Sequence, residues 1–195
     1  MDSTPIIQEA VKVLREGGVI LYPTDTVWGI GCDATNEKAV ARVFEIKRRS
    51  EAKSLVLLAC DLDMVAKHVK EIPSIAIDLV EVNDAPMTII YPGAQYLAPN
   101  AVAEDGSVGI RIPLVEDNPA GAFCKELVYR LRRPLVSTSA NISGEPTPTS
   151  FAEISEEIKG AVDYVVPKPF GAGATGRSSQ IIKLGLGGEV EILRP

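Results

Sequence analysis

The sequence predicts an α/β or α+β fold built on one large mixed sheet with flanking helices. Three observations lead there. Amphipathic helical periods and short, continuous apolar runs are interspersed along the whole chain. The last two strand-like runs are joined by Gly185 to Gly188, a hairpin signal, so the sheet is not purely parallel. The 195 residues, 46% hydrophobic and 24% charged, fit one globular domain spanning 1–195 that buries roughly 70% of its unfolded surface.

The elements follow in order. Thr4-Pro5 opens an amphipathic helix with Ile6, Ile7, Ala10, Val11 and Leu14, stopped at Gly17-Gly18. Val19 to Tyr22 reads as a buried strand. Asn36 caps a helix carrying Ala39, Val40, Val43, Phe44 and Lys47. Ser54 to Ala59 is a second buried strand, and Asp61 opens a helix with Leu62, Val65, Ala66 and Val69 on one face. Pro73-Ser74 starts a helix to about Val82. Met87 to Tyr91 and Ser107 to Ile112 are strands closed by prolines. Asn118-Pro119 opens a helix with Phe123, Leu127, Val128 and Leu131, followed by a strand at Leu135 to Thr138. Thr149 to Ile158 reads as a helix stopped by Gly160. Val162 to Val166, Gln180 to Leu184 and Val190 to Leu193 complete the strands. The irregular stretches Pro92 to Gly106 and Pro167 to Arg177 are candidate lids or binding loops.

Charge and composition exclude several functions. The net charge of −6 disfavours a basic coat for nucleic acid, although a local positive pocket remains allowed. No apolar run approaches the roughly 20 residues that span a bilayer, so no membrane role is expected and the cytoplasm is the expected compartment. Cys32, Cys60 and Cys124 have no zinc-type spacing and read as reduced, partly buried thiols. The single histidine, His68, lies near Lys67 and Lys70 and reads as exposed, which argues against a histidine base and a Ser/His/Asp triad. Neither G-x-x-x-x-G-K-[ST] nor G-x-G-x-x-G occurs.

Five segments carry candidate chemistry. Tyr22 to Ala34 places Thr24, Asp25 and Thr26 at a strand end, suited either to a small polar ligand or to an ordinary turn capped by Asp25. Lys47, Arg48, Arg49 and Lys53 form a cationic run that is either a solvated helix end or a polyphosphate contact. Arg111 alternates with apolar residues, so it is either at the surface or buried against an anion. Ser137 to Gly144 is a dense hydroxyl cluster after a buried strand, better suited to binding a ligand than to nucleophilic attack. Gly176 to Ser179 is a weaker group of the same kind.

In combination these segments resemble the YrdC-like family, the threonylcarbamoyl-AMP synthases. Pro23 to Gly31 is similar to the family's P-T-[DE]-T-x-Y-G-L-G, with Trp28 and Ile30 as departures. Lys47 and Arg49 resemble K-x-R, Pro86-Met87-Thr88 P-x-T, and Gly109 to Pro113 G-V-R-x-P. Thr138 to Gly144 matches T-S-A-N-x-S-G in full, and Ser178-Ser179-Gln180 keeps only Ser179 of P-S-T. Ser50 and Gln180 replace a common proline and threonine, and the tryptophan usual before P-G-P-x-T is absent.

The resemblance implies an open, twisted mixed sheet around a concave cavity. It implies condensation of L-threonine, bicarbonate and ATP to threonylcarbamoyl-adenylate, with release of pyrophosphate and no covalent enzyme intermediate. A downstream transferase complex would then modify tRNA. Lys47, Arg49, Lys53, Ser107, Ser139, Asn141, Thr147 and Ser179 are the expected ATP residues, with Mg²⁺ riding on the phosphates. Thr24, Arg111 and Ser137 are the expected threonine residues. The rival is a non-catalytic YrdC-like paralogue that binds double-stranded RNA or the ribosome; a weak tRNA contact at the cavity rim is compatible with either. The related hydrogenase-maturation chains embed this domain in a far longer sequence.

Overall fold

A computed structural model describes residues 1–51 and 54–195. In chain order the elements are α1 (Thr4–Arg15), β1 (Ile20–Pro23), β2 (Trp28–Gly31), α2 (Glu37–Lys47), β3 (Val56–Leu58), α3 (Leu62–His68), α4 (Ser74–Val82), β4 (Met87–Tyr91), β5 (Val108–Arg111), α5 (Pro119–Leu131), β6 (Leu135–Ser139), α6 (Glu156–Ala161), β7 (Tyr164–Val165), β8 (Gln180–Leu184) and β9 (Val190–Arg194). The strands form one sheet in the order β7-β1-β2-β6-β3-β5-β4-β8-β9. The pairs β1/β7, β3/β5 and β4/β8 are parallel and the others antiparallel, so the expected mixed sheet is present.

The helices bury the stripes their periodicity defines. Ile7, Ala10, Val11 and Leu14 of α1 face inward, as do Phe123, Cys124, Leu127, Val128 and Leu131 of α5, and these two helices pack together. Each such large apolar side chain contributes about 1.5–3 kcal/mol when fully withdrawn from water. Asn36 caps α2 by accepting from the Ala39 N–H, and Asn118 caps α5 by accepting from the Gly121 N–H.

β1 and β6 flank β2, and Tyr22 reaches across it. Its hydroxyl donates to Val136 O at 2.8 Å. The crossing needs Gly31, where a Cβ would stand 1.9 Å from Val136 O and 2.8 Å from the Tyr22 ring.

Several expectations are corrected. Trp28–Gly31, read only as part of a turn-rich segment, is a buried strand paired on both sides. The single helix expected from Thr149 to Ile158 is instead a 3₁₀ turn at Phe151–Glu153 and a separate α6. Ile154 is extended, and the Ser155 side chain starts the second helix by accepting from the Ile158 N–H. Gly160 lies inside that helix and does not stop it. His68 is not exposed: it is buried at the end of α3, with Nδ1 3.3 Å from Gln95 O. Burial pulls its pKa below the usual histidine value.

The two irregular stretches are tied down. Residues 92–106 bond through Ala94 N to Gly106 O, Gln95 N to His68 O and Ala98 N to Ala34 O. Residues 167–177 brace the turn after β1, since Thr175 N donates to Asp25 O and Gly176 N to Thr26 O. Both stretches are thus hydrogen-bonded back onto the body of the domain. The three cysteines are buried and unbridged. No helix among the described residues is long and apolar enough to cross a membrane.

Candidate functional site

Strand alternation builds the site. Successive side chains point to opposite faces, so Ser107, Gly109 and Arg111 share one face along β5, as do Thr88 and Ile90 on β4, Ser137 and Ser139 on β6, and Ser179 and Ile181 at β8. The register aligns these residues in rows. Arg111 pairs with Thr88, Thr88 with Ile181, and Ile181 with Arg194. Ser137 pairs with Val56, Val56 with Gly109, and Gly109 with Ile90. Together they floor a cavity of about 300 Å³. Ala101 and Ala103 from the 92–106 stretch, and Arg49, Ser54 and Leu55 beyond α2, also line it. The opposite face of these strands holds the core residues Met87, Ile89, Tyr91 and Ile110.

Arg111 is buried and paired. Its Nε donates to Asp25 Oδ1 at 3.1 Å, and its Nη2 to Thr26 Oγ1 at 3.2 Å and Thr24 Oγ1 at 3.5 Å. Asp25 is fully buried, and its other oxygen accepts from Leu114 N at 3.1 Å. Asp25 is therefore more than a turn cap, and Arg111 is buried against an anion and is not a surface residue. Arg111 Nη1 has no protein hydrogen bond among the described residues.

The rest of the wall is similarly held. Thr88 Oγ1 and Ser179 Oγ are 2.7 Å apart. Arg194, from the last strand, donates through Nε to Ser179 O at 2.7 Å and through Nη2 to Ser179 Oγ at 3.4 Å. Burial and the nearby Arg111 cation lower its pKa. Ser107 Oγ donates to Asp105 Oδ1 at 2.5 Å, so its lone pairs are left for a ligand that donates. That bond, the Ser107 N–H and Lys183 draw the Asp105 pKa down to about 2.

Arg49 reaches the cavity through the way α2 ends. Arg48 is left-handed (φ 49°), Arg48 N donates to Glu45 O and Arg49 N to Phe44 O, a Schellman closure that reverses the chain. Arg49 Nη2 donates to Ser54 O at 2.7 Å, while its buried Nε has no partner among the described residues. Burial also lowers its pKa.

Of the expected residues, Arg49, Ser107, Arg111, Ser137, Ser139 and Ser179 line the cavity, and Thr24 stands directly behind Arg111. Lys53 lies outside the described residues. Lys47, Asn141 and Thr147 are not part of the lining. Lys47 is 2% exposed, with Nζ bonded to Ser139 O at 2.5 Å and Asn141 O at 2.8 Å. Asn141 donates to Ile142 O and Glu145 O, both at 3.0 Å, and Thr147 is exposed. Thr88 and Arg194 also line the cavity and were not read from the sequence as ligand contacts, and Ser178 was read only within the weaker Gly176 to Ser179 group. Thr88 had a signal, since it alternates with Ile90 on a strand and falls in the P-x-T element. Arg194 had none beyond a cation in a terminal strand.

Among the described residues the lining holds Arg49, Arg111 and Arg194 and no carboxylate, in a protein of net charge −6. That arrangement suits an anionic small molecule with hydrogen-bonding groups. The chain belongs to the Sua5/YciO/YrdC family: the family model described as "Telomere recombination" matches residues 12–195. A threonylcarbamoyl-AMP synthase of Pseudoalteromonas translucida (strain TAC 125) is 34% identical over 174 residues, covering 88% of this chain and 90% of that protein. A doubly substituted variant of P. abyssi Sua5 superposes with a TM-score of 0.84 at 30% identity, covering 97% of this chain and 56% of that one. P. abyssi Sua5 complexed with L-threonine gives 0.79 at 31% identity, covering 91% and 50%. The chain therefore spans about half the length of the P. abyssi protein and most of the bacterial one.

Proposed function

We infer that this chain is an L-threonylcarbamoyladenylate synthase, condensing L-threonine, bicarbonate and ATP to threonylcarbamoyl-AMP and pyrophosphate. The observation that carries the reading is one cavity lined, among the described residues, by three arginines and no carboxylate, in a chain of this family. The threonine amine attacks bicarbonate carbon and water leaves, giving a carbamate. A carbamate oxygen then attacks the α-phosphorus, and pyrophosphate departs. Such chemistry depends on positioning and on stabilising charge in the transition state.

Arg111 receives the threonine carboxylate on Nη1, with Thr24 holding the guanidinium and Ser137 beside it. Arg49, Ser107, Ser139 and Ser179 bind ATP, and Arg194 joins them. Mg²⁺ enters as MgATP. Among the described residues no carboxylate lines the cavity and none form a cluster of three metal-ligating side chains, so phosphate oxygens and water would complete its shell. The product would pass to a downstream complex that modifies tRNA, and the cytoplasm is the compartment proposed for the reaction.

The test is pyrophosphate release with each substrate omitted in turn. Release should require threonine, bicarbonate and ATP together. Arg49→Ala should lower it at least about tenfold, matching loss of a charged contact of about 1.5–3 kcal/mol. Arg111→Met should raise the KM for threonine more than that for ATP. Threonine-independent release, or none, would overturn the reading and favour a binding module.

A further inference from the structure

Ser107 lines the cavity with its only hydroxyl proton already committed. Its Oγ donates to Asp105 Oδ1 at 2.5 Å, and the same oxygen accepts from the Ser107 N–H at 3.0 Å. Asp105 Oδ2 accepts from Lys183 Nζ at 3.1 Å. Lys183 pairs with Ile90, and Ile90 with Gly109, so its side chain reaches Asp105 across the face that floors the cavity. The turn that carries Asp105 is closed. Gly106 is left-handed (φ 80°), Gly106 N donates to Ala103 O and Ala103 N to Ser107 O, both at 2.9 Å. The Lys183 and Asp105 side chains are 41% and 55% exposed. An ion pair this open adds little to stability, so its consequence is the orientation of Ser107.

The proton inventory limits what Ser107 can touch. A hydroxyl has one proton and two lone pairs, and an ionised carboxylate only accepts. With a pKa drawn down to about 2, Asp105 stays ionised and keeps the Ser107 proton across neutral pH. Ser107 therefore offers a ligand lone pairs only. The phosphate oxygens of MgATP are acceptors as well, so they find no proton there, and the Asp105 carboxylate behind the hydroxyl repels a second anion. Position points the same way. Ser107 and Arg111 end the row Ser107, Gly109, Arg111, about 13 Å apart along the strand. With threonine at Arg111, the far end of the row takes either the nucleoside or the departing pyrophosphate. Of these two, only the nucleoside carries donors. Ala101, Ala103 and Val108 add an apolar wall at that end, which suits a nucleoside better than a polyphosphate.

We propose that Asp105, held by Lys183, is a positioning residue: it fixes Ser107 as a hydrogen-bond acceptor, so that Ser107 contacts a donor on the nucleoside of ATP, a ribose hydroxyl or the adenine amine, and no phosphate. This rests on the reading of the cavity as an ATP site. Asp105 acts through Ser107 and touches no substrate, so threonine binding at Arg111 is left intact.

The test is a cycle between protein and ligand, read as affinity by calorimetry. Wild type, Asp105→Ala and Asp105→Asn are titrated with ATP, 2′-deoxy-ATP, 3′-deoxy-ATP and purine riboside triphosphate, which lacks the adenine amine. One of the three analogues should bind wild type about fivefold more weakly than ATP, the loss of one neutral hydrogen bond. Which analogue it is identifies the donor. In Asp105→Ala the freed hydroxyl can turn, so the penalty should shrink to about twofold or less. Asp105→Asn keeps an accepting oxygen and should keep the penalty, with threonine affinity unchanged throughout. An equal penalty in wild type and Asp105→Ala, or no penalty for any analogue in wild type, would overturn the proposal. The wild-type titrations alone decide the second point if Asp105→Ala does not fold. ATP binding without discrimination would sink this proposal only, whereas wild type that binds no ATP would sink the ATP reading along with it.

Discussion

Asp25→Asn is the most informative single change, because Asp25 holds the residue assigned to threonine. The Asp25 side chain is 0% and that of Arg111 6% exposed. One carboxylate oxygen accepts from Arg111 Nε and the other from Leu114 N. Asparagine has the same shape but only one accepting oxygen, so its NH₂ must face one of these two donors. Arg111 is then a buried cation without a counter-charge. Removing one partner of such a pair costs about 3–5 kcal/mol, a large share of the roughly 5–15 kcal/mol that stabilises a domain. Urea unfolding should show a lower midpoint at unchanged slope. The double variant Asp25→Asn/Arg111→Met should be less destabilised than the sum of the singles, because it removes the orphaned charge. A loss under about 1 kcal/mol for Asp25→Asn, or simple additivity, would refute the view that this pair is coupled in the dry interior.

Three further outcomes are expected. Gly31→Ala would press a methyl onto Val136 O at 1.9 Å and should unfold the protein or cost about 3 kcal/mol or more. Gly109→Ala meets nothing closer than Thr88 Cγ2 at 3.4 Å, so it should stay folded while its methyl enters the cavity floor and weakens ligand binding; unfolding curves and titrations of the two variants separate the cases. Lys47, with a folded pKa of about 8 against 10.5 unfolded, releases its proton earlier in the native state. The unfolded chain therefore binds more protons between pH 8 and 10.5, and wild type should gain stability with rising pH there, by at most about 1.4 kcal/mol per pH unit. Subtracting the curve of Lys47→Met should isolate this slope, and its absence would show that Lys47 is better solvated than its burial indicates.

Strands and most helices were legible because their patterns are strong: Ile20 to Tyr22 is uniformly apolar, and α1 and α5 carry clear stripes. β2 was hidden because Trp28-Gly29-Ile30-Gly31 has two glycines, which local propensity disfavours in strands. Its place is fixed by close approach to Val136 and by pairing with β6, more than 100 residues away. The break before α6 depends on the Ser155 cap, which competes with a plausible continuous period. His68 looked solvated beside Lys67, yet the 92–106 stretch folds over it. In the site, the residue types were visible but their register was not. Thr88 and Arg194 join Arg111 only because β4, β8 and β9 align in one row. The burial of Lys47 carried its own clue, since a lysine at i+7 from Val40 falls on the buried stripe of α2.

One cavity is expected to hold both substrates, threonine on Arg111 and ATP between Arg49 and Ser139. A crystal structure with L-threonine and a non-hydrolysable ATP analogue tests it most directly. The account predicts the threonine carboxylate within hydrogen-bond distance of Arg111 Nη1, and the triphosphate against Arg49 and the Ser139 turn. Either ligand bound outside this cavity would contradict it.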